Sequence, residues 1–188
     1  AVDYIAPYLD AASVNLKGSA NKEFMQKYMD VPKVEPIYKS LLRMKEKGIF
    51  IEITNLIIPE IGNHVDNTRT LTAWIAENLG PGTPFHILAF SPTFKITHLP
   101  RTPAAMMEAH FKAAREAGLS YIYSGNIPGL DTENTYCPSC GFKAVERFSV
   151  YLKSNNLSAE GRCPRCDSDL NMAGVKWMGK GGPRLAFF

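Results

Sequence analysis

No stretch of this chain approaches the ~18–20 consecutive apolar residues that a membrane helix needs, although hydrophobic residues make up 45% of it. That excludes a helical membrane span as the organising feature. No secretory-type segment is visible either, so the chain is expected to be cytoplasmic. Charge of one sign is also scarce. The 21 Lys and Arg against 18 Asp and Glu leave +3 over 188 residues, too little to argue for a nucleic-acid partner. Low-complexity tracts and long linkers are missing, which bounds the chain at one or two ordinary globular domains. Cysteine is scarce too. There are four, all between positions 137 and 166.

Those four are Cys137-Pro-Ser-Cys140-Gly141 and Cys163-Pro-Arg-Cys166-Asp167, with 22 residues between the pairs. Two such knuckles suit one tetrahedral metal held by four thiolates, Cys137, Cys140, Cys163 and Cys166. The two-residue spacer lets both sulfurs of a pair face one point. Gly141 can take the positive φ that ends the turn. Asp167 stands where the second knuckle would often have glycine, so that turn is expected to be tighter or strained. Zn(2+) fits best, and a closed set of four thiolates leaves no open position for chemistry, so the site reads as structural. Two disulfides, a single iron as in rubredoxin, and an Fe–S cluster remain as alternatives.

Elsewhere strand and helix patterns alternate. Residues 1–9 read as the end of a helix, and 11–16 as a short buried strand ending at Lys17-Gly18. Helices follow at 22–29 and from Glu35-Pro36 to Gly48. Residues 49–58 form an Ile-rich strand, expected to be buried on both faces. A helix opens at Thr68, with Leu71, Trp74, Ile75 and Leu79 on one side. A strand at 85–90, a helix from Pro103 with His110 on its inner stripe, and a strand at 119–123 complete the series. The strands begin 38, 36 and 34 residues apart, which predicts parallel βα units. Chemistry in such sheets gathers at the C-terminal strand ends. The candidates are Asn15, Lys17, the loop with Glu60, His64 and Asp66, Ser91, and residues 124–126. Residues 145–152 read as one strand of a small antiparallel ribbon. The expected division is residues 1–127 and 128–188. Residues 137–188 carry eight basic against four acidic side chains, so a basic ribbon that binds nucleic acid or protein is the non-enzymatic alternative. The tail, 177–188, is expected to lie on the domain or on a partner.

Several stretches resemble one family. "ASVNLKG" (12–18), "IFIEITNLIIP" (49–59) and "FHILAFSPTFKI" (85–96) are similar to successive strands of radical S-adenosylmethionine (SAM) enzymes of the pyruvate formate-lyase activating type. "TPAAMMEAHFKAAREAGLSYIYSGNIPG" (102–129) and "ENTYCPSCG" (133–141) look like one branch, the radical SAM enzyme of the AmmeMemoRadiSam system. The resemblance implies a partial (β/α)6 barrel, of which this chain is the second half, followed by a rubredoxin-like zinc ribbon. It also implies a [4Fe–4S] cluster held by C-x-x-x-C-x-x-C, which reductively cleaves SAM to a 5′-deoxyadenosyl radical. That motif is nowhere in this sequence, nor is the glycine-rich segment that holds the methionine end of SAM. By position, Lys17 is similar to the family's lysine that reaches the cofactor carboxylate. Asn15 stands where Asp is common, Thr54 and Leu56 where the strand meets the cofactor's polar edge and adenine, and Ser91 where His is frequent. An upstream barrel half or a second chain is expected to cover the open sheet edge. The implied substrate is a protein side chain or glycyl backbone, or a small molecule.

Overall fold

Isoleucine at 49, 51, 53, 57 and 58 gives the stretch before Pro59 strong strand character. In the computed structural model, which describes residues 1–149 and 151–175, it becomes β2 (Phe50–Ile57), the second strand of a four-stranded sheet. The others are β1 (Ala11–Asn15), β3 (Phe85–Ala89) and β4 (Ile122–Gly125), and the order in space is β1-β2-β3-β4. β1 pairs parallel with β2, and β2 with β3. The helices are α1 (Val2–Ile5), α2 (Lys22–Met29), α3 (Glu35–Glu46), α4 (Val65–Asn78) and α5 (Ala104–Glu116). The chain divides into two units, Ala1–Ile122 and a second that starts at Tyr123.

Within the first unit the two faces of the sheet differ. Ile51, Ile53, Asn55 and Ile57 of β2 are buried, as are Phe85, Ile87 and Ala89 of β3, and the register puts them on one face. Leu41, Leu71, Ile75, Met107, Ala113 and Ala114 of α3, α4 and α5 are buried with them. On the other face Phe50, Glu52, Leu56, His86 and Leu88 are half-buried, and Thr54 among them is buried. Thus β2 is not uniformly covered on both faces. β1 departs further from expectation. It alternates between exposed and half-buried residues and is not a buried strand. Its residues are small, and its outer edge pairs with no other described strand. α4 opens at Val65, one turn before Thr68, with His64 at the N-cap position in extended conformation and making no side-chain cap bond.

A second cluster packs Phe24 and Met25 of α2 against Ile58, Phe90 and Leu99, with Leu56 partly buried beside it. The Phe24 ring lies directly on Gly18. A Cβ there would come within 2.5 Å of two ring atoms, and Gly18 has φ +59°. Gly18→Ala is therefore expected to cost about 2–3 kcal/mol through overpacking and backbone strain. Urea unfolding of the variant checks this, and an unchanged midpoint would contradict the packing.

In the second unit β5 (Thr135–Tyr136), β6 (Lys143–Phe148) and β7 (Tyr151–Asn155) form an antiparallel sheet in that order. Residues 145–152 are thus two strands and a turn, not one strand. The chain reverses after Phe148, where Ser149 takes φ +52°. The Glu133 carboxylate ties the hairpin turn to the preceding loop: it accepts the N–H of Ser149 (3.1 Å) and of Gly129 (3.2 Å). The predicted docking tail, 177–188, lies outside the described residues.

Candidate metal centre and the polar face of the sheet

The two knuckles repeat the same pair of backbone hydrogen bonds. Cys137 N–H donates to the Phe142 carbonyl (2.8 Å) and Cys163 N–H to the Ser168 carbonyl (2.9 Å). Gly141 N–H and Asp167 N–H each close the turn onto the first cysteine's carbonyl at 2.9 Å. Gly141 has φ +71° and Asp167 φ +60°, so Asp167 carries the strain that its position predicts. Asp also accepts Arg162 Nε at 2.8 Å, which ties the strained turn down.

All four sulfurs lie within 4.8 Å of one another, and none is in a disulfide. Cys137 Sγ is 3.6 Å from Cys166 Sγ, and Cys140 Sγ is 3.7 Å from Cys163 Sγ. A tetrahedron with metal–sulfur bonds of about 2.3 Å has edges of about 3.8 Å, so the sulfurs already stand where one ion needs them. Four thiols this close cannot all ionise without a cation. The Phe142 backbone favours the Cys140 thiolate, but burial and the three neighbouring sulfurs outweigh it and push this thiol up to about 12. At Cys166 the Ser168 hydroxyl and backbone hold the thiol down to about 6. A divalent ion would remove the competition by compensating every sulfur. Among the described residues these cysteines form the only such group. Glu60, His64 and Asp66 form no such group: His64 sits at the N-cap position of α4 without a side-chain cap bond, and Asp66 pairs with Arg69.

On the half-open face of the first sheet the register aligns Ser13 with Glu52, Asn15 with Thr54, and Thr54 with His86. Ser13 Oγ is 3.4 Å from Thr54 Oγ1, and His86 Nε2 is 3.1 Å from Glu52 Oε2. A carboxylate–imidazole pair and two hydroxyls on three neighbouring strands make this face polar, where β2 and β3 are apolar on the opposite one but for Asn55. Glu52, His86 and Ser13 are absent from the candidates read off the sequence. The signal was there: Glu52 shares its parity with Thr54 inside an Ile-rich strand. Asn15 is exposed at the end of β1 and Lys17 half-buried in the turn that follows. Leu56 packs against the Phe24 cluster. Ser91 lies two residues past β3, half-buried. Ser124 Oγ is 2.5 Å from Thr132 Oγ1.

Behind β2 runs a buried polar chain. Ser19 N–H donates to Asn55 Oδ1 at 2.9 Å, and Asn55 Nδ2 donates to Ser19 Oγ at 2.8 Å. Ser19 Oγ is 2.7 Å from Thr68 Oγ1, which is 2.6 Å from His110 Nδ1. His110 Nε2 is buried without a hydrogen-bond partner among the described residues. Burial holds the His110 pKa down to about 4, with Asn63 opposing only in part. His110 is thus a packing residue on its helix stripe, but one with a polar partner.

No family model matches the chain. It is 36% identical over 165 residues to an uncharacterized protein of Methanocaldococcus jannaschii, an alignment that takes in 87% of this chain and 49% of that protein. The chain spans about half the length of that curated relative. Among solved structures, a domain of pyruvate-formate lyase-activating enzyme from Bacteroides vulgatus matches with a TM-score of 0.55 and 19% identity, over 66% of this chain and 73% of the other. The shared feature is the fold: the α/β architecture is like that of an activating-enzyme domain. Among the described residues, no helix is long and apolar enough to cross a membrane.

Proposed function

We propose that this chain is the C-terminal part of a radical SAM enzyme of the pyruvate formate-lyase activating type, in the AmmeMemoRadiSam branch, with a structural zinc ion in its ribbon. The observation that carries the reading is the likeness of fold to an activating-enzyme domain. The polar, half-open sheet face that carries Asn15 and Thr54 supports it. The winding also agrees, because the strand order follows chain order as it does along an arc of a (β/α) barrel. All four cysteines stand in the ribbon, so residues outside this chain would hold the [4Fe–4S] cluster. When bound, the cluster and SAM supply the electron and the hydrogen-abstracting radical. The chain's own residues would bind and orient: Lys17 at the cofactor carboxylate, Asn15, Thr54 and Ser91 as hydrogen-bonding groups, and Leu56 as apolar wall. The exposed edge of β1 would be covered by the upstream half of the barrel or by a second chain. The substrate would be a protein side chain or glycyl backbone, or a small molecule.

Anaerobic iron–sulfur reconstitution with a strong reductant tests the reading. The full-length gene product is expected to release 5′-deoxyadenosine from SAM, and the 188-residue chain none above a protein-free control. A full-length protein without product, or a chain that makes it, would refute the proposal.

A further inference from the structure

The turn that carries Lys17 is held in an unusual conformation. Gly18, Ser19 and Ala20 have φ of +59°, +58° and +56°. Two of the three carry a Cβ, and left-handed residues of this kind persist only where their surroundings over-determine them. Their surroundings here are the buried chain Asn55–Ser19–Thr68–His110, drawn from β2, the turn itself, α4 and α5. Hydrogen-bond accounting gives that chain a direction. Asn55 Nδ2 donates to Ser19 Oγ, so the single Ser19 hydroxyl proton is satisfied by pointing at Thr68. The Thr68 proton then points at His110 Nδ1, which must accept. His110 is therefore the Nε2–H tautomer. His110 Nε2 is without a hydrogen bond in either direction, and the reverse one would in addition leave the Ser19 proton buried and unused, at the cost of a second unmade hydrogen bond.

We infer that Thr68 and His110 are positioning residues for the Lys17 turn, locking it left-handed through a one-way hydrogen-bond relay to Ser19. Its bearing on a ligand rests on the proposed role of Lys17 at a cofactor carboxylate, whereas the relay itself does not. Neither residue touches the half-open face. They act through Ser19 from the far side of β2, so a substitution there alters the turn without removing any group offered to a ligand.

The test uses the full-length gene product with 15N-labelled histidine, the His110 signal being identified by its loss in His110→Gln. The wild-type protein is expected to show the nitrogen shifts of a neutral Nε2–H ring at pH 7. Thr68→Val, similar in shape but without the hydroxyl, should lose that signature. It should also speed amide hydrogen exchange across residues 17–21 at least tenfold and weaken SAM binding, measured by calorimetry, about tenfold. Thr68→Ser should restore all three. An Nδ1–H ring in the wild type, or unchanged exchange in Thr68→Val, overturns the relay. Unchanged affinity in a protein that does bind SAM overturns the positioning of Lys17. A wild-type protein that binds no SAM refutes the proposed function instead, and the tautomer and exchange measurements still decide the relay.

Discussion

Removing the metal, or replacing Cys140 with alanine, is expected to unfold the second unit while the helical signal of the first survives. The reason is the size of the core around the cysteines. Its fully buried members are Cys137, Ala144, Cys163 and Leu170, so half of it is cysteine. The sheet beside it includes a strand of only two residues. A unit this small cannot offset its chain entropy by apolar burial alone. A structural zinc contributes roughly 10–16 kcal/mol, which equals or exceeds the net stability of roughly 5–15 kcal/mol of a whole domain. All five α-helices described lie in the first unit, which has its own apolar core. Far-UV circular dichroism should therefore keep its helical component after treatment with a strong chelator, while amide exchange of residues 135–170 becomes unprotected. Elemental analysis of protein purified without added metal should give one zinc per chain. Stoichiometric iron with a red colour would assign the site to iron, and a ribbon that stays protected in Cys140→Ala would show that the metal does not hold it.

The second large effect is acid destabilisation through His110. Unfolded, its imidazole titrates near pH 6.5; in the native protein burial holds it at about 4. As pH falls below 6.5 the unfolded chain takes up a proton that the native state refuses, so stability is full above 6.5 and declines until pH reaches about 4. The difference amounts to about 3 kcal/mol. The relay adds a structural reason for the refusal: a doubly protonated ring would present a donor to Thr68 at Nδ1, where the native state needs an acceptor. His110→Gln should be less stable at pH 7, because it breaks the chain of bonds. It should also lose about 3 kcal/mol less than the wild type between pH 7 and pH 4. Urea unfolding at the two pH values measures both. Parallel losses in the two proteins would show that His110 is not the group responsible.

The reach of the sequence follows from how local each feature is. A Cys-x-x-Cys knuckle closes on itself, so spacing alone places two sulfurs together, and Gly141 and the strained Asp167 were legible with it. α2 is bounded by residues next to it: Asn21 caps Phe24 N–H at 2.9 Å, and Asp30 ends the helix with φ +52°. Strand alternation with helices carried the parallel sheet in the same way. The exposure of β1 was not local: its short sequence reads as buried, and only its place at the edge of the sheet leaves it open. Thr68 looked like the start of a helix. It became a buried link because α4 starts a turn earlier and packs on α5. Glu52 and His86 meet only through the register of β2 against β3, and Ser19 meets Asn55 and Thr68 across 36 and 49 residues. The sequence by itself determined which residues could hold a metal and where strands and helices alternate, because those are set by nearest neighbours along the chain. The tertiary structure alone decided which face of the sheet is polar and which buried groups hold the Lys17 turn, because both depend on which strands and helices come to lie side by side.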